Sequence, residues 1–131
     1  MANSTNSPAN ARYSESHEWF RIEGNTVVLG ITKFAADELT DITYVEMKPV
    51  GTKIAAGSSV GEVESVKTTS DIYSFVSGTI VAVNQDAVKD PSLVNSDSFG
   101  RGWLVKLECT DTSPLAKLMD ATTYDSKHAS H

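Results

Sequence analysis

One primary amine is distinguished by its setting. Lys67 lies in the run Gly61-Glu-Val-Glu-Ser-Val-Lys-Thr-Thr-Ser-Asp-Ile-Tyr-Ser74, between two stretches that alternate as strands do. An amine displayed on a turn can be modified by another enzyme, or it can attack a carbonyl and form a Schiff base. The second chemistry needs a pKa depressed by burial or by a nearby cation. A polar turn flanked by Glu64 and Asp71 favours the charged amine instead. Taken alone, an exposed hairpin lysine is most often a solvated charge that discourages edge pairing. No serine or cysteine is paired with a base, and the chain has no phosphate loop and no metal-ligand spacing. Cys109 is the only cysteine, so an internal disulfide and a thiolate cluster are excluded, and it reads as a small apolar residue at a strand end. His17, His128 and His131 are too widely separated in sequence to suggest a metal site.

The elements that must position Lys67 are short strands. Glu62, Glu64 and Val66 alternate with Val63 and Ser65 on the way in. Ile72, Ser74 and Val76 alternate with Tyr73 and Phe75 on the way out, and the polar run 67–71 suits a turn. With these two, strands are expected at 17–22, 26–31, 42–48, 59–66, 72–76, 78–84 and 103–108, several separated by turn signals such as Glu23-Gly24-Asn25 and Pro49-Val50-Gly51. Helices interrupt this pattern. One begins with Thr32 as N-cap and buries Phe34, Ala35 and Leu39; a short one covers 85–89. A third is capped by Ser113, with Pro114 at its first position and Leu115, Leu118 and Met119 as its apolar stripe. The fold class is all-β with peripheral short helices.

A chain of 131 residues suits one domain. Residues 1–12 read as a disordered leader, 13–124 as the domain and 125–131 as a polar C-terminal tail. The formal net charge of -6, with no Lys/Arg cluster, repels a phosphate backbone and argues against nucleic acid. No apolar run approaches the length of a membrane helix. The leader lacks a signal-peptide apolar region and the arginines of a transit peptide, which places the protein in a cytoplasm, or in the mitochondrial matrix if a presequence was removed.

The run 64–74, followed by Val76-Ser-Gly78, resembles the lipoylation site of the H proteins of the glycine cleavage system. Other blocks match in order: Ser16-His-Glu-Trp19; Gly30-Ile-Thr32 with Ala35, Leu39, Asp41 and Ile42; Pro91-Ser-Leu-Val-Asn95; and Gly102-Trp103. The resemblance covers about residues 13–124. Thr40, Phe75 and Ser98-Phe99 depart from it at turns. Biotin carriers usually flank their lysine with methionine, and lipoyl domains of 2-oxoacid dehydrogenases usually place Asp before it. Here the neighbours are Val66 and Thr68. Residues around the lysine do not separate a glycine-cleavage carrier from an H-like relay of lipoyl groups outside glycine catabolism.

The resemblance implies a flattened barrel-sandwich of two antiparallel sheets, as in lipoyl and biotinyl carriers, with lipoate attached covalently to Lys67. It implies a non-catalytic carrier, because the chemistry belongs to the cofactor and to partner enzymes. Those partners are a pyridoxal-phosphate glycine decarboxylase, a tetrahydrofolate-dependent aminomethyltransferase, an FAD-linked dihydrolipoamide dehydrogenase, and the lipoate ligase or lipoyltransferase that modifies the lysine. Glu64 and Gly78 stand where lipoyl domains carry residues that help a ligase recognise the turn. Ser16, Glu18 and Asp71 lie in matching blocks and supply acceptor oxygens, and are expected to form a cleft for the arm carrying its cationic aminomethyl group.

Overall fold

The computed structural model describes residues 7–128. Nine strands form two antiparallel sheets. The larger sheet contains β1 (Arg12–Tyr13), β2 (Glu18–Glu23), β3 (Thr26–Ile31), β5 (Lys53–Ile54), β8 (Gly78–Val83) and β9 (Val105–Glu108), in the order β1-β2-β3-β9-β8-β5. The smaller contains β4 (Ile42–Met47), β6 (Ser59–Ser65) and β7 (Thr69–Tyr73), in the order β4-β6-β7. Between them lies the main core, where Phe20, Leu29, Ile80 and Leu107 of the larger sheet meet Val45, Val63 and Ile72 of the smaller.

The run Thr26-Val-Val-Leu-Gly-Ile31 is apolar without alternation because β3 is covered on both faces. Leu29 and Ile31 enter the main core, whereas Val28 joins a second cluster with Tyr13, Trp19 and Tyr124. Trp19 lies opposite Gly30. A Cβ on Gly30 would stand 2.8 Å from the indole, so only glycine fits beneath that ring.

Helix α1 (Lys33–Leu39) starts where the sequence predicts, with Thr32 Oγ1 accepting the Ala35 amide at 3.1 Å. Phe34, Ala35 and Leu39 are half-buried, and only Ala36 of this helix is fully buried. Asn84 caps the expected helix α2 (Gln85–Lys89). The sequence reading does not foresee β1, β5 or α3 (Ser92–Ser96), each short enough to leave little periodicity.

The C-terminal region departs most from expectation. Ser113–Lys117 forms a 3₁₀ turn preceded by Thr112, with no side-chain cap, and the chain then becomes extended at Leu118. Met119 cannot continue a helix because its N–H and C=O pair with Tyr13 at 3.0 and 2.9 Å. A separate helix α4 (Ala121–Lys127) follows, capped by Asp120, whose carboxylate accepts the Thr123 amide at 2.8 Å. This helix runs past residue 124 through much of the expected tail, and residues 129–131 lie outside the described residues. The expected leader divides similarly. Residues 1–6 lie outside the described residues, while Ser7 donates from its amide and hydroxyl to Asp125 at 3.1 and 2.7 Å, and Ala11 is buried. Among the described residues, no helix is long and apolar enough to cross a membrane.

Candidate functional site

Lys67 sits at the tip of the β6–β7 hairpin, in a turn of Val66, Lys67 and Thr68. The turn is tighter than the sequence suggests because β7 begins at Thr69. Ser65 holds it: its amide donates to the Thr68 carbonyl at 2.8 Å, and its Oγ accepts the amides of Lys67 at 3.1 Å and Thr68 at 3.2 Å. The Val66 amide donates to Asp41 O at 3.3 Å, tying the tip to the connection after α1. Two turn amides are therefore satisfied by one hydroxyl, and the side chain of Lys67 is left exposed. Its Nζ donates to the Glu38 carbonyl at 3.3 Å, and none of the ion pairs among the described residues involves it.

A groove begins beside this contact. Ser16, His17, Phe34, Ala35, Glu38, Leu39 and Ser70 enclose about 270 Å³ between α1, the loop before β2 and β7. That loop is folded tightly: the Ser14 amide donates to Glu18 O at 3.0 Å and the His17 amide to Ser14 O at 3.1 Å. His17 adopts the left-handed region with φ 75°, uncommon for a residue with a Cβ.

Glu18 lies beneath the loop, 1% exposed. One carboxylate oxygen accepts the Ser16 hydroxyl at 2.6 Å and also the Ser14 hydroxyl; the other accepts the Tyr73 amide at 2.9 Å. Burial raises its pKa above the ordinary carboxylate value, and the hydrogen bonds from Ser14, Ser16 and Tyr73 oppose that rise. His17 moves the other way. Burial and the neighbouring His128 lower its pKa, against the pull of Glu38. Its ring lies 4.8 Å from that of Phe34 and 4.7 Å from that of His128.

Of the residues singled out by sequence, Ser16 and Glu18 meet directly. Asp71 points from the outer face of the smaller sheet into a different depression, shared with Met47, Ser59, Gly61 and Glu62. There the register sets Glu46 opposite Glu62, and Glu62 opposite Asp71, an acidic row across all three strands. Glu64 is half-buried on β6, opposite Tyr44 and Thr69. Gly78 lies in the other sheet, where a Cβ would stand 2.6 Å from Glu108 O, so close packing alone requires glycine there.

Sequence reasoning misses Ser14, Ser65, Glu38 and the meeting of His17 with His128. Ser65 carries a usable signal, a hydroxyl two residues before the turn lysine. His17 and His128 meet only because α4 returns to the start of the chain. Among the described residues, no group of three or more His, Cys, Asp or Glu is placed to hold a metal.

The chemistry that fits is attachment of a long, mostly apolar arm. An exposed amine stands at one end of a groove walled by Phe34, Ala35 and Leu39, and hydroxyls backed by a buried carboxylate stand at Ser16. Two antiparallel sheets presenting such a lysine on a tight hairpin define a carrier domain of the lipoyl and biotinyl type.

Comparison with known proteins narrows the class. The family model for the glycine cleavage H-protein matches residues 11–131. The glycine cleavage system H protein of Bacillus cereus (strain AH820) is 50% identical over 117 residues, covering 89% of this chain and 92% of the relative. That of Symbiobacterium thermophilum is 46% identical over 120 residues, covering 92% and 94%. The crystal structure of a glycine cleavage system H protein from Mycobacterium marinum superposes with a TM-score of 0.85 at 37% identity, covering 94% of this chain and 99% of that one. The chain belongs to the glycine cleavage H-protein family. It is a lipoyl-arm carrier of the glycine cleavage system, non-catalytic in itself, with lipoate attached to a lysine.

Proposed function

We propose that Lys67 is the lipoylated lysine and that the arm folds into the groove beginning at Glu38. The observation that carries this reading is the turn itself, in which Ser65 fixes the backbone while Lys67 stays exposed. A ligase or lipoyltransferase needs a reachable, well-placed amine, and Glu64, half-buried on β6 three residues before Lys67, is its contact. Gly78 acts through packing alone, keeping the strand after the hairpin in register with β9, and is not itself a ligase contact.

When attached, the cofactor supplies a ring disulfide that opens to carry the aminomethyl group. The protein's own residues orient and shelter it. Phe34, Ala35 and Leu39 give the arm an apolar wall that excludes water, which slows hydrolysis of the cargo. The Ser16 hydroxyl, backed by the buried carboxylate of Glu18, supplies the acceptor oxygen for its ammonium, whereas Asp71, in the depression on the other face, lies outside this cleft.

The partners are the pyridoxal-phosphate glycine decarboxylase that loads the arm, the tetrahydrofolate-dependent aminomethyltransferase that unloads it, and the FAD-linked dihydrolipoamide dehydrogenase that reoxidises it. The acidic row Glu46, Glu62 and Asp71, on the sheet that displays Lys67, suits docking onto basic patches of these enzymes. The relatives named above are bacterial, which supports a cytoplasmic location. Reconstitution with the three enzymes tests the assignment: wild type should support glycine cleavage and Lys67→Arg should not. Full activity of Lys67→Arg would reject it.

A further inference from the structure

The groove has one wall on the loop before β2 and the other on α1, and a single buried hydroxyl touches both. Tyr124 of α4 is 1% exposed, and its Oη lies 2.8 Å from His17 Nδ1 and 2.8 Å from Thr32 Oγ1. Thr32 Oγ1 also caps α1 by accepting the Ala35 amide, so the contact reaches the helix that carries Phe34, Glu38 and Leu39. His17 lines the groove, its ring tilted against that of Phe34. Its backbone lies at positive φ, uncommon for a residue with a Cβ, and the Tyr124 hydroxyl holds its ring from outside the loop.

Tyr124 does not itself line the groove. Its helix is also anchored away from the groove: the Tyr124 ring stacks on Tyr13 at 5.0 Å, and the Ser7 hydroxyl donates to Asp125 at 2.7 Å. We infer that Tyr124 is a positioning residue for the lipoyl arm, its hydroxyl setting the spacing between His17 and α1 and so the fit of the groove around the loaded arm. The inference rests on the reading that Lys67 bears the arm and that the arm enters this groove. It gives α4 a part in retaining cargo without any contact to the cofactor.

The test uses the full-length protein, with and without the arm. Tyr124→Phe removes one oxygen and keeps the ring on Tyr13. Tyr13→Phe is the control, because the Tyr13 hydroxyl donates to Pro8 O in the same cluster but away from the groove. Intact mass should show equal lipoylation of both variants and of wild type. In the unmodified protein, ¹⁵N shifts of the His17 ring should report one dominant tautomer in wild type and Tyr13→Phe, and a mixture in Tyr124→Phe. Followed by mass in the loaded protein, loss of the aminomethyl group should accelerate roughly five- to tenfold in Tyr124→Phe, the range set by loss of one buried hydrogen bond, and stay unchanged in Tyr13→Phe.

Equal acceleration in both variants would reduce Tyr124 to general stability and overturn the inference, as would an unchanged rate in Tyr124→Phe. If Tyr124→Phe does not fold, His17→Asn breaks the same contact from the other side, since Asn tolerates a left-handed backbone. It should accelerate loss to a similar extent, and an unchanged rate would overturn the inference. Two results would instead reject the underlying reading: an arm absent from Lys67, or wild-type protein that holds its cargo no longer than free dihydrolipoamide does.

Discussion

The carboxylate of Glu18 accepts the backbone amide of Tyr73 at 2.9 Å, joining the loop before β2 to the strand that leaves the lysine turn. Residues 55 positions apart thus fix the free edge of β7 relative to the groove. The same side chain accepts the hydroxyls of Ser14 and Ser16, so every partner donates to it. Glu18→Gln can keep the Tyr73 bond with its carbonyl oxygen while the serine hydroxyls turn to accept. The variant should fold normally but lose the negative charge behind Ser16, and the aminomethyl group should leave isolated loaded protein faster. An unchanged rate would remove Glu18 from that role. Glu18→Ala leaves the Tyr73 amide unpaired and should cost roughly 1–3 kcal/mol of stability by denaturant unfolding.

Ser65 offers a separable handle on the turn. Ser65→Ala removes the acceptor for the Lys67 and Thr68 amides without touching the core. Global stability should fall by about 1 kcal/mol or less, because both amides can turn to water. Lipoylation should slow severalfold in a ligase time course, since the amine is presented by a looser tip. Wild-type kinetics would show that the flanking strands alone hold it.

Gly78→Ala distinguishes packing from recognition. The new methyl group would meet Glu108 O at 2.6 Å and Cys109 Sγ at 2.9 Å. Overpacking of this kind costs roughly 1–3 kcal/mol, so the melting temperature should drop while folded protein is lipoylated at the wild-type rate. Normal melting with slow lipoylation would make Gly78 a direct ligase contact.

The pH response has a defined sign at His17. Its folded pKa lies below the ordinary 6.5, from burial first and His128 second. The unfolded chain therefore binds more protons in that window, so the contribution of His17 is full above 6.5 and is lost as pH falls through the folded value. Glu18 acts in the opposite sense. Its folded pKa lies above 4.5, so its contribution is full below 4.5 and lost as pH rises through the folded value. Substituting His17 leaves the Glu18 part in place. The melting-temperature difference between wild type and His17→Asn should shrink from about pH 7.5 to about pH 5.5, and parallel curves would contradict the assignment.

Much of this architecture is legible in local pattern. Alternation at Val63, the unbroken apolar run of β3 and the Thr32 cap are each contained within a few residues, and each predicts its element; the strand expected at 72–76 instead runs over Thr69–Tyr73, because Ser65 closes the turn within three residues. Lys67 is readable for the same reason, because a turn between two alternating runs is a local signal. What local pattern misses depends on distant partners. Met119 has a good helical neighbourhood, but its backbone is claimed by Tyr13, so the expected helix stops and Asp120 starts another. His128 looks like tail until α4 brings it onto His17. Asp71 and Ser70 are adjacent in sequence, yet strand alternation sends one into the acidic depression and the other into the groove. The arm cleft expected of Ser16, Glu18 and Asp71 together therefore has its first two members joined by a hydrogen bond and its third on another face.

The most direct test of the central claim is the intact mass of protein produced in cells able to lipoylate, followed by peptide mapping of the added group. One lipoyl moiety should be gained, located on Lys67, and none in Lys67→Arg. A lipoyl group on any other lysine, or its persistence in Lys67→Arg, would contradict the claim.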